Sequence, residues 1–270
     1  HLTISRFSFP TVFDPLLALT GLWLMVRAWN EQSAPLPGRF TLLLLAGVCL
    51  GLAMQTYHTG RVVPVMAGVL ALLLFRGAAW RQWLAGVAVM GVGFLLAVGP
   101  LLVYALGHME AFNDRLSGVF LLSQEALQGR APLAVLDDSL GRHALMFNVQ
   151  GDSNGRHHAP DKPMLDFVTG LGFLAGCGWL LRQSHDWRSR FLAIALVIGL
   201  LPSLLAVEGP HAMRSIGAAA FACIVAALGW AEIVGWMTAD GGRRTADDGW
   251  WTADGGQQTT VSSDPRPLTP

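Results

Sequence analysis

Three polar clusters interrupt an otherwise apolar chain, and their residue types suit the recognition of hydroxyls and phosphate. The densest, residues 146–163, reads MFNVQGDSNGRHHAPDKP, and its Gly, Asp, Asn and Pro content specifies a compact, turn-rich path. Within it Asp152 and Asn154 are suited to hydrogen-bond hydroxyl groups, while His157 and His158 offer donors or metal-ligand nitrogens. A water-facing surface loop would carry the same residues. A calcium loop fits poorly, because the DSNG start at 152–155 lacks a later acidic ligand at the required offset. Zinc is also weak, since adjacent histidines are not a ligand spacing.

The other two clusters are short. Tyr57, His58 and Arg61 lie between two apolar runs, and Glu208, His211 and Arg214 between two others. Charged residues at such places are often helix ends whose side chains reach back to the interface. The sharper expectation is that Arg61 and Arg214 bind a phosphate at headgroup depth, because a guanidinium donates two parallel hydrogen bonds and keeps its charge when partly desolvated. No nucleophile elbow, phosphate-binding Gly loop, His-Glu-x-x-His or paired-Cys motif is present.

The elements that must position these clusters are apolar. Seven runs, at 12–29, 40–57, 62–75, 83–106, 165–181, 191–207 and 216–237, approach the roughly 20 residues a helix needs to cross hydrocarbon; the third is short. With 53% hydrophobic and 13% charged residues, a mean hydropathy of +0.46 and zero formal net charge, the composition excludes a soluble globule and gives no electrostatic case for nucleic acid. Cys49, Cys177 and Cys223 lie within these runs and read as small apolar residues. The expected fold is an all-α, polytopic membrane helix bundle of about seven spans over residues 1–237, with a long extracytoplasmic loop at 107–164.

Sidedness follows from arginines in short connections. Arg27 and Arg39, Arg76 and Arg81, and Arg182, Arg188 and Arg190 mark three cytoplasmic connections, which puts all three polar clusters on the extracytoplasmic face of a cell membrane. This sidedness holds only with the third run crossing. Residues 238–270 repeat TADGGRR, TADDGWW, TADGGQQ without apolar heptad positions, and are expected to form a disordered cytoplasmic tail. At the other end HLTISRFSFP, residues 1–10, reads as a chain entering from a preceding helix, so a longer protein is expected.

At these same residues the chain resembles a known group. ISR at 4–6, GLAMQTYHTGRVVPV at 51–65, FNVQGDSNGRHHAPDKPMLD at 147–166 and LLPSLLAVEGPHAMRSIGA at 200–218 together look like bacterial GT-C membrane glycosyltransferases, the superfamily of protein O-mannosyltransferases and aminoarabinose transferases (glycosyltransferase family 39-like). The resemblance implies transfer of a sugar from a polyprenyl-phosphate donor to a glycan, protein or lipid acceptor hydroxyl outside the cytoplasm. It implies donor-phosphate binding by Arg61, His211 and Arg214, and substrate contacts from Tyr57, His58, Asp152, Asn154, His157, His158 and Glu208. Such enzymes place the key acid in a first extracytoplasmic loop with no counterpart here, so the catalytic base is expected upstream and this chain alone is expected to be inactive. No cofactor is assigned, and a divalent metal stays open. A transporter would show internal repeats and helices broken at the midplane, and a non-catalytic scaffold would use the long loop to hold a partner. Both remain alternatives.

Overall fold

A computed structural model describes residues 10–30, 36–75, 77–110, 118–154, 159–207 and 209–238. Helix forms on every one of the seven apolar runs. In chain order they are α1 (Phe13–Asn30), α2 (Leu36–Thr56), α3 (Val63–Leu73), α4 (Trp80–Gly107), α7 (Phe167–Arg182), α8 (Trp187–Leu204) and α9 (Ile216–Thr238). Between α4 and α7 lie a single turn, α5 (Gln124–Leu127), and a longer helix, α6 (Pro132–Leu145). Among the described residues the fold is all-helical, with no strand beyond an isolated antiparallel bridge between Phe120 and Ala206.

Four helices are long and apolar enough to cross a membrane: Pro37–Thr56, Trp80–Gly107, Trp187–Leu204 and Ile216–Thr238. The chain is therefore a helical membrane protein. Length and polarity separate the remaining three. The 11 residues of α3 rise only about 16 Å, the 16 of α7 about 24 Å, and α1 carries Asp14, Arg27 and Asn30 within its 18 residues. A 3-10 turn, His58–Val62, leads into α3 and extends that apolar helix to His58–Leu73.

Local chemistry sets several boundaries. Asp166 caps α7 by accepting the Thr169 hydroxyl and the N–H groups of Thr169 and Val168, the latter two each at 3.0 Å, and these bonds, the hydroxyl's foremost, hold its carboxyl below the usual carboxylate range. Ser123 caps α5 in the same manner. Proline opens α3 and α6, where its missing N–H costs nothing.

Packing relies on small residues. A Cβ on Gly47 of α2 would collide with the backbone carbonyl of Met90 on α4, and one on Gly93 with that of Leu44. The α7–α9 contact is built the same way, with Gly176 against the Val225 carbonyl and Gly229 against that of Gly172. These close approaches match the small-xxx-small geometry by which membrane helices gain packing without a hydrophobic driving force between them. Around them, Met25, Leu43, Leu50, Met66 and Leu70 from α1, α2 and α3 form the main core with Phe191 and Ala195 of α8. A second core joins Met146 and Phe147 to Phe173 of α7 and Ala222 and Val225 of α9. Leu95, Leu96 and Val103 of α4 point outward, as a lipid-facing surface requires.

The chain divides into units His1–Ile233 and Val234–Pro270. Of the second, only the end of α9 is described; Thr238, placed in the tail by sequence, is its last residue, and Trp236 and Met237 on it are exposed. The expected disorder of the tail lies outside the described residues, as do the ISR motif and the arginine at position 76.

Candidate functional site

The start of α1 is joined to the α2–α3 connection by the Thr59–Asp14 hydrogen bond, that connection packs against α8, and the end of α8 is bonded to the segment before α5. Hydrogen bonds tie these pieces together. Leu121 N–H donates to the Leu205 carbonyl at 2.8 Å and Val207 N–H to the Val119 carbonyl at 3.1 Å, fastening the segment before α5 to the end of α8. The 146–166 stretch folds on itself through Gly151 N–H to Lys162 carbonyl and Met164 N–H to Met146 carbonyl.

Asp152 sits where this stretch meets the 209–214 turn. It is 1% exposed, and both carboxylate oxygens are engaged: Oδ1 accepts the Asn154 N–H at 2.7 Å and Oδ2 the Ala212 N–H at 2.8 Å. His211 Nδ1 lies 4.0 Å from Oδ2. Two sequence-predicted residues, Asp152 and His211, are thus brought together, with Asn154 bound through its backbone. Each Asp152 oxygen holds a turn of its own chain, which makes it a brace for the loop.

A polar chain not read from the sequence supports the same turn from below. His143 on α6 is buried, with Nδ1 2.8 Å from the Ser139 carbonyl and Nε2 2.9 Å from the Ser203 hydroxyl of α8. Ser203 Oγ accepts the His211 N–H at 2.9 Å, and the Ser139 hydroxyl donates to the Leu204 carbonyl at 2.7 Å. Burial pushes the His143 imidazole below its ordinary pKa, opposed by the bond to Ser139 and reinforced by the charge of Arg142. Arg142 itself donates to the Gly209 carbonyl at 3.0 Å and pairs with Asp138. The signal for this cluster was a buried stripe of Val135, Ser139 and His143 at helical spacing.

Arg214 lies in the turn leading into α9. Its Nη1 is shielded from solvent and has no hydrogen-bond partner among the described residues. Arg61 occupies the 3-10 turn between α2 and α3, which packs against α8, the helix that carries Ser203. Tyr57 and His58 stand beside it with their rings edge-on at 5.5 Å. Between them and α1, Thr59 donates to Asp14 Oδ2 at 2.9 Å; both residues are buried, and Asp14 Oδ1 has no partner among the described residues. Asp14 was invisible as a site residue because it begins an apolar run. His157, His158 and Glu208 lie outside the described residues. Among the described residues no group of three or more His, Cys, Asp or Glu is arranged to hold a metal ion. Comparison with protein-family models, curated proteins and solved structures gives no match to this chain.

Proposed function

We propose that this chain is part of a membrane glycosyltransferase of the GT-C type, moving a sugar from a polyprenyl-phosphate donor to an acceptor hydroxyl at the extracytoplasmic face of a cell membrane. The observation that carries the reading is Arg214, whose solvent-shielded Nη1 has no partner among the described residues and which lies in a turn braced from two sides. A buried N–H of a permanently charged group is costly unless an acceptor reaches it, and a phosphate oxygen is a strong one. Arg61 and His211 complete the phosphate-binding set. In this reading Tyr57, His58, Asp152, Asn154, His157, His158 and Glu208 serve substrate binding, Asp152 through the loop it braces. All seven helices cross in this reading, the 107–164 segment faces outward and the tail lies in the cytoplasm. No catalytic base is assigned within the chain.

A departing lipid phosphate gathers negative charge in the transition state, and losing one donor to such a charge typically costs roughly 2 to 4 kcal/mol, or roughly 30- to 900-fold in rate. Arg214→Ala and Arg61→Ala should each lower turnover of a lipid-phosphate sugar by that order in membranes containing the full protein. Arg214→Lys should recover only part of it, because a point charge cannot reproduce a bidentate fork. Wild-type turnover by both alanine variants with donor below saturation would overturn the phosphate site.

A further inference from the structure

The turn that carries His211 and Arg214 is held by a hydrogen-bonded chain whose proton positions are fixed by chemistry. The Ser139 carbonyl can only accept, so the His143 Nδ1 at 2.8 Å must carry the hydrogen. In the neutral ring Nε2 is then an acceptor, and the Ser203 hydroxyl at 2.9 Å donates to it. With its hydrogen directed there, Ser203 Oγ presents a lone pair to the His211 N–H. Asp152 takes the neighbouring Ala212 N–H from the opposite side. Consecutive N–H groups of one turn are therefore fixed by two different segments, while Ser215 N–H closes the turn on the His211 carbonyl at 3.0 Å.

The imidazole also packs closely against Gly209, where an added Cβ would come within 2.6 Å of His143 Cε1. Ser203 is fully buried, so no water competes for its single hydrogen.

We propose that His143 and Ser203 are positioning residues for the Arg214 phosphate site: the neutral imidazole orients the Ser203 hydroxyl, and Ser203 fixes the backbone from which His211 and Arg214 project. This role rests on the phosphate reading of Arg214. Neither residue touches the lipid phosphate. Their effect passes through the turn, since a guanidinium fork a fraction of an ångström out of place loses its bidentate geometry.

Two measurements separate this role from simple structural support. In a background with Cys49, Cys177 and Cys223 replaced by Ala, Ala212→Cys reports opening of the turn by its rate of maleimide labelling. Binding of radiolabelled undecaprenyl monophosphate to the protein in nanodiscs reports the phosphate site. Ser203→Ala and His143→Phe break the chain from opposite ends, so if one variant misfolds the other still decides. Each should raise the labelling rate roughly tenfold and weaken polyprenyl phosphate binding by a similar factor, the scale of one buried hydrogen bond. His143→Gln, which can keep an acceptor amide oxygen near the Nε2 position, should restore most of both. Unchanged labelling in Ser203→Ala and His143→Phe overturns the clamp. Faster labelling with undiminished binding, while Arg214→Ala still weakens binding, overturns positioning and leaves the phosphate site standing. Wild-type protein that does not bind the probe overturns the phosphate reading, and this role with it, whatever the labelling shows.

Discussion

His143 and Asp152 hold the candidate site through hydrogen bonds within the protein. An unfolded His143 takes up a proton near 6.5, whereas the folded imidazole, desolvated and beside Arg142, does so only at lower pH. Between those values the unfolded chain binds more protons, so stability rises with pH there. The contribution is complete above about 6.5 and is lost as pH falls toward the folded value. Thermal unfolding in detergent should therefore move to lower temperature between about pH 7 and about pH 5, and His143→Gln should flatten that dependence. Asp152→Asn tests the brace: one of its two acceptor oxygens becomes an NH₂ facing a backbone N–H. A loss of about 1 to 3 kcal/mol is expected, read as a lower unfolding midpoint and faster protease cleavage within residues 147–165.

At the scale of elements, the bundle depends on contacts that admit no side chain. Gly176 of α7 meets the Val225 carbonyl, but Gly178, two residues on, has open space around its Cβ position. Gly176→Leu should separate α7 from α9 and cost about 1 to 3 kcal/mol or more, as overpacking does. Gly178→Leu should leave the unfolding midpoint within error of wild type. Equal midpoints for the two variants would show that the α7–α9 contact contributes little. These Gly-xxx-Gly spacings, at 47 and 51 and at 172 and 176, stood open in the sequence. So did the pattern of α6, whose Val135, Ser139 and His143 stripe turns a stretch expected as loop into a helix seated on the end of α8.

The whole molecule tests sidedness. In the proposed topology Ser153 faces outward and Ser184 faces the cytoplasm, and both are exposed. In the Cys-free background, an impermeant maleimide applied to intact cells should label Ser153→Cys but not Ser184→Cys. The opposite pattern would invert the bundle and put the phosphate cluster on the cytoplasmic face. Thr59 would serve badly as a reporter, since it is 1% exposed and bonded to Asp14.

Helical class and the positions of the helices on the seven apolar runs were legible in the sequence alone, because backbone groups in hydrocarbon must be paired within the segment and long apolar runs leave no other solution. The clustering of Asp152 with His211 was legible only as a shared end of the bundle. Which atoms meet there depends on tertiary packing: Asp152 and Ala212 are 60 residues apart, and so are His143 and Ser203. No local rule predicts that a carboxylate in a polar loop will be spent on a distant backbone N–H, or that a histidine will meet a serine that passes its hydrogen bond onward. Side-chain hydrogen bonds carry little pattern in sequence, since each polar residue has many possible partners. Burial at the junction of α6, α8 and the 209–214 turn selects among them, because a buried polar atom is costly until it is paired.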